Sequence, residues 1–99
     1  MIIVLLDHEF NKPLKFDTKK MEVIVASIKV RKTYNTLLGD LFFYVNAILY
    51  KSKKGRYLLS YKINDKYKYE LLNKEAVKNL LINNDIDAYE KLFGEIEEG

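Results

Sequence analysis

The sequence predicts an α+β fold: a small antiparallel β-sheet of about four to five strands, with a meander over residues 22–71 and two short C-terminal α-helices packed on it. Three observations lead there. Apolar residues alternate with polar ones from Glu22 onward, two loops of hairpin length divide the middle of the chain, and at Asn73 the apolar period changes from two to that of a helix. With 99 residues the chain is expected to be a single domain over 1–99, mainly strands in 1–72 and a helical, acidic segment in 73–99.

The N-terminal "IIVLL" and "LKF" read as strands joined by a polar loop containing Pro13. In "EVIVASIKVRK", Glu22 to Lys32, the residues Ile24, Ala26, Ile28 and Val30 fall on one face, and Ser27, Lys29 and Arg31 on the other. The run from Leu41 to Lys51, "LFFYVNAILYK", is apolar on both faces, as expected for a strand covered on both sides. A helix over 37–50 is the competing assignment, because Leu37, Leu38, Leu41, Phe42, Val45, Ile48 and Leu49 also satisfy a 3.6-residue period. Aromatic density and the loop that follows favour the strand. That loop is "KSKKG", with Gly55 available for a positive φ. In "RYLLSYKI", Tyr57, Leu59, Tyr61 and Ile63 alternate with Arg56, Leu58, Ser60 and Lys62. "NDK" makes the next turn, and "YKYELL" completes the meander with Tyr67, Tyr69 and Leu71 on one face. Asn73 is placed to cap a helix carrying Ala76, Val77, Leu80 and Leu81, which "NND" after Ile82 should stop. Asp85 is placed to cap a second helix with Ile86, Tyr89, Leu92 and Phe93 on one side and Gly94 at its end. Helices this short need the sheet to stand on.

Composition narrows the function classes. There is no cysteine, so neither a disulfide framework nor a thiolate metal site is available, and a reducing, cytoplasmic setting is expected. The longest apolar stretch, "LFFYVNAILY", is half the ~20 residues of a membrane-spanning helix, and the N-terminus lacks the basic region and cleavage site of a signal peptide. No membrane partner is expected. The net charge of +3 conceals an asymmetry: −1 over residues 1–18, +9 over 19–69 and −5 over 70–99. A basic middle attracts nucleic acid or an acidic protein surface, unless the acidic tail folds back and neutralises it.

Between Gly39 and Leu81 the chain reads "GDLFFYVNAILYKSKKGRYLLSYK", a polar turn, and "YELLNKEAVKNLL", and it closes with "YEKLFGEIEEG". This pattern, an "LY-K-x-K-x-G-x-Y" hairpin followed by a short strand and a helix, resembles short accessory proteins of phages, plasmids and archaeal viruses. The resemblance implies a small non-enzymatic protein of a mobile element that binds a host protein or nucleoprotein complex, as an inhibitor of a defence system would. It carries over no catalytic residue.

Candidate binding residues are Lys51, Lys53, Lys54, Arg56, Lys62, Lys66 and Lys68, opposed only by Asp65 and interleaved with Tyr57, Tyr61, Tyr67 and Tyr69. Lysines neutralise phosphates and aromatic rings stack on unpaired bases, so nucleic acid is the alternative partner for this hairpin. On each strand, however, tyrosines and basic residues alternate, which favours tyrosines in the core and lysines in solvent. A sheet this small also has edges through which a homodimer can form.

Enzymatic constellations are thin, and no cofactor is expected. "DHE", Asp7 to Glu9, places the sole histidine between two carboxylates, and Asp7 with Asp17 and Lys19 has the residue types of a Mg²⁺-dependent nuclease. "KSKKG" lacks the second glycine of a phosphate-binding loop, and no serine lies in a nucleophile motif.

Overall fold

The computed structural model describes residues 1–7 and 11–99. Among these, six strands form two antiparallel sheets and two helices follow. β1 (Ile2–Asp7) and β2 (Lys12–Asp17) pair as a separate two-stranded sheet rather than joining the main one, which keeps four strands, within the four to five expected. The main sheet is a meander in the order β3 (Glu22–Thr36), β4 (Gly39–Lys51), β5 (Tyr57–Ile63) and β6 (Lys66–Leu72). The strand assignment for 37–50 therefore holds over the helix. α1 (Lys74–Asn84) and α2 (Ile86–Phe93) complete the chain.

Local chemistry explains the connections. Asn64 and Asp65, both at positive φ, form the two-residue turn between β5 and β6 that matches strand twist. Gly55 takes the left-handed position of the β4–β5 turn, where Ser52 Oγ accepts from the Arg56 backbone N–H. The Asn73 side chain accepts from Ala76 N–H at 2.8 Å and the Asp85 carboxylate from Ala88 N–H at 3.0 Å, each capping its helix. α1 runs two residues past its expected stop: Asn83 and Asn84 donate their side-chain amides to the carbonyls of Asn79 and Leu80, ending the helix instead of preventing it.

The core lies between one face of the main sheet and the helices. Ile28, Ala47, Leu49, Tyr57, Leu59 and Tyr61 meet Val77 and Leu81 of α1 there, and Phe93 of α2 packs on Tyr57. Lys32 on β3 reaches Glu70 on β6, the two edge strands, so the sheet curls with its helix side concave. Register shifts between Val23 and Val25 and again between Val25 and Ile28 bulge β3. They correct the simple alternation, leaving Ala26 exposed while Ile28 is buried.

On the opposite face, Leu58 and Ser60 are buried beneath the β1–β2 hairpin, whose Ile3 and Phe16 are buried with them. β1 lies along β6, and the Tyr69 hydroxyl meets Met1 Sδ at 2.9 Å. β5 is thus covered on both faces. β4 is not: only its inner half, Ala47 to Lys51, pairs with β5, and beyond it β3 and β4 continue as a two-stranded ribbon.

Candidate functional site

Eight residue pairs, from Lys29–Asn46 to Thr36–Gly39, build this ribbon, giving it a length of about 26 Å. Its base packs on the core through Val30 and Val45, and Lys32 is held there by Glu70. From Thr33 to Phe42 every residue is exposed. The two residues of its end turn, Leu37 and Leu38, are 105% and 100% exposed, where turns ordinarily carry Gly, Asn or Asp. Gly39, at φ 119°, absorbs the conformational demand of this turn, so both leucines keep negative φ. The Thr36 hydroxyl ties the turn together, donating to the Gly39 carbonyl at 2.6 Å and accepting from Leu38 N–H at 3.2 Å. Two backbone polar groups of an apolar tip are satisfied internally, which lowers the cost of removing that tip from water.

The ribbon has two unlike faces. Directly opposed residues share a face, so Tyr34, Leu41 and Phe43 lie on the helix side, uncharged around the tip, with Tyr34 and Phe43 rings 5.8 Å apart. The other side carries Lys29, Arg31, Phe42, Tyr44 and Asn46. It continues onto the main sheet through Lys62 and its cross-strand partner Tyr67.

The seven basic residues expected to form one patch are divided. Lys51, Lys53, Lys54 and Arg56 surround the β4–β5 turn, whereas Lys62 and Lys66 flank the β5–β6 turn at the other end of β5. Lys62 also faces the side opposite to Lys66 and Lys68. The first group gains neighbours the sequence did not suggest: Lys15 and Lys20 line one depression of about 430 Å³ with Lys53, Lys54 and Arg56. Of the four tyrosines expected in the core, Tyr57 and Tyr61 are there, but Tyr67 and Tyr69 are on the opposite face and Tyr67 is exposed. Among the described residues, Glu70 with Lys32 is the only ion pair that joins the acidic tail to the basic middle.

That pair belongs to a partly buried trio. Lys32 Nζ donates to Glu70 Oε1 at 2.6 Å, and the Tyr61 hydroxyl donates to the same oxygen. Burial opposes the charge on Lys32, yet the Glu70 hydrogen bond and charge outweigh it and hold Lys32 above its ordinary value. Burial likewise opposes the Glu70 carboxylate, and donation from Lys32 and Tyr61 nevertheless keeps its pKa low. Burial, then the Glu70 carboxylate, pushes the Tyr61 phenol up.

The two metal readings stand differently. His8 and Glu9 of "DHE" lie outside the described residues. Asp7 pairs with Lys12 and Asp17 with Ile2, at opposite ends of the β1–β2 ladder about 17 Å apart, too far to share one Mg²⁺. The Asp17 carboxylate instead accepts from Lys19 N–H at 3.1 Å. No cluster of three or more potential ligands occurs among the described residues, and no described helix is long and apolar enough to cross a membrane.

The exposed ribbon was legible in one signal. Once Gly39 is taken as the turn residue after Leu37–Leu38, counting outward pairs Arg31 with Tyr44 and Thr33 with Phe42, and so puts basic and aromatic side chains on one face. No family model, curated protein or solved structure matches the chain.

Proposed function

We propose that the chain is a small non-enzymatic binding protein of a mobile element that docks on a host protein or nucleoprotein complex, with the end of the β3–β4 ribbon entering the partner. The observation that carries this reading is the full exposure of Leu37 and Leu38 on a tip whose backbone is braced by Thr36. Exposed apolar residues grouped at one place mark interaction sites, and a projecting pair of leucines beside Tyr34 and Leu41 suits an apolar pocket. A bare two-stranded ribbon is marginal in water, so a partner that covers it supplies packing the chain itself lacks. The resemblance to accessory proteins of mobile elements supports the class of partner, and inhibition of a defence complex is the outcome such docking would have.

A photo-crosslinker at Tyr34, used in extract of the source cell, tests this. The expected result is a discrete cross-linked product that disappears in the Leu37→Ser/Leu38→Ser protein and persists in Lys53→Glu/Lys54→Glu. Loss of the product in the second protein but not the first transfers the docking site to the basic corner and overturns the proposal, as does the absence of any product.

A further inference from the structure

We infer that the open half of the sheet face opposite the helices binds single-stranded nucleic acid, with bases stacked on Tyr44 and Tyr67 and phosphates held by Lys29, Arg31 and Lys62. This site is independent of the apolar tip, and its ligand is of a different class from the protein partner proposed above.

Among the described residues, this face is buried at Leu58 and Ser60, the end beside the β1–β2 hairpin. The remainder is bare, and its composition is specific. Tyr44 is 64% exposed, Phe42 and Tyr67 58% each. Lys29 and Asn46 form one rung of the ribbon, Arg31 and Tyr44 the rung two residues further out, and Thr33 and Phe42 the rung beyond that. On the main sheet, Lys62 and Tyr67 are opposed across β5 and β6. Ala47 and Tyr61 form the last rung of the β4–β5 ladder, and Asn46 and Lys62 are the first residues past it, both on the face opposite the helices, where the two groups adjoin.

Charge and stacking are already interleaved within that surface. The Arg31 guanidinium sits 4.3 Å from the Phe42 ring centroid, and the Lys62 ammonium 5.5 Å from that of Tyr67. Tyr67 and Tyr69 stack at 6.4 Å, which steadies the Tyr67 ring. Each accessible ring therefore has a cation against it or a residue away, the arrangement in which a base and its own phosphate are engaged together. Two carboxylates border it: Asp65 in the β5–β6 turn pairs with Lys62 at 3.7 Å, and Asp40 lies on the same face one rung beyond Thr33 and Phe42. Lys29 and Arg31 have no salt-bridge partner among the described residues, so the surface keeps a small excess of positive charge for a phosphate backbone.

Paired bases bury their faces in the helical stack, so a platform of this kind selects unpaired strands. Tyr44 on β4 and Tyr67 on β6 are separated by the width of β5, so they address different bases. Apolar protein partners have no use for three cations on the same face, whereas a nucleic-acid strand uses both kinds of residue. DNA and RNA share this chemistry.

Fluorescence anisotropy of labelled oligothymidylate and oligouridylate, each about 15 nucleotides, against a duplex of equal length tests the inference across a salt series. Expected is a preference of at least about tenfold for single strands, with log affinity falling against log salt at a slope near −2, about −0.7 for each of three phosphate contacts. Tyr44→Ala and Tyr67→Ala should each weaken binding by about 5- to 100-fold. Tighter binding of one oligonucleotide assigns DNA or RNA. The sequence has no tryptophan, so Tyr44→Trp provides a single indole whose emission should be quenched by the strand. Leu37→Ser/Leu38→Ser should bind normally, which separates this site from the docking tip. Equal affinity for duplex, insensitivity to both tyrosine substitutions, or no binding at low salt would overturn the inference.

Discussion

β5 and the outer half of β4 are built from similar residues, tyrosine with leucine or phenylalanine, yet β5 is covered on both faces and the outer half of β4 is largely bare. In β5, Leu58 and Leu59 point to opposite sides and are 0% and 2% exposed; in β4, Leu41 and Phe42 do the same and are 50% and 58% exposed. What differs is the neighbourhood. β5 has a strand on each side, helices on one face and the β1–β2 hairpin on the other, while the outer part of β4 has β3 alone. Apolar content in a strand thus does not by itself report that the chain's own elements cover it; under the proposed function, a partner covers the ribbon.

The sharpest test of the contrast is one substitution type applied to both regions. Leu49→Ala, at a fully buried position in the layer between sheet and helix, should destabilise the fold by about 2–5 kcal/mol through lost transfer energy and the cavity left behind. Urea unfolding monitored by circular dichroism measures it. A loss below about 1 kcal/mol would mean that the core collapses around the deletion and that the distinction between the two regions is weaker than their exposures indicate.

The Lys32–Glu70–Tyr61 trio marks the border between the two regions, where the ribbon is fastened to the far edge strand. Glu70→Ala removes the shared acceptor and leaves two donors unpaired, a cost of about 1–2 kcal/mol at neutral pH. The cost should depend on pH with a definite sign. The folded state lowers the Glu70 pKa, so its contribution is present above the ordinary carboxylate range and is lost as pH falls through the lowered value. Lys32 and Tyr61 are both raised, so theirs is complete below their ordinary values of 10.5 and 10.0 and is lost as pH rises through the folded ones. The stability gap between wild type and Glu70→Ala should therefore narrow at both extremes. A gap that stays constant from about pH 7 down to about pH 3 would show that Glu70 acts only through packing.

The same contrast explains what the sequence revealed and what it withheld. Two of the main sheet's three turns and both helix starts were legible because their causes are local: Asn64 and Asp65 tolerate positive φ, and Asn73 and Asp85 each satisfy a backbone donor three residues on. Coverage was not legible, because it depends on contacts distant in sequence. Leu58 and Ser60 looked like the outward face of β5, and only the docking of β1–β2 buries them. The tyrosines of β6 looked like core for the same reason, and the bulges of β3 shift Ala26 outward without leaving a mark on the apolar period. For the binding residues, linear clustering between Lys51 and Lys68 mixed both ends and both faces of the sheet, while Lys29 and Arg31 join Lys62 only through β-pairing.

The smallest effect carries the most meaning for function. Leu37→Ser with Leu38→Ser exchanges two large apolar side chains for polar ones, a change that would unfold the protein at β5. At the ribbon tip it removes no internal contact, since both side chains are fully exposed, and it leaves the Thr36 hydrogen bonds in place. Stability should change by less than about 0.5 kcal/mol, and the protein should become more soluble. A substantial loss of stability, read by the same urea titration, would mean that the leucines are already buried in solution, and a dependence of that loss on protein concentration would identify a second copy of the chain as what covers them. An unchanged midpoint would mean that the two leucines contribute nothing to the fold they sit on, leaving contact with another molecule as the physical use for so much apolar surface at the end of a 26 Å arm.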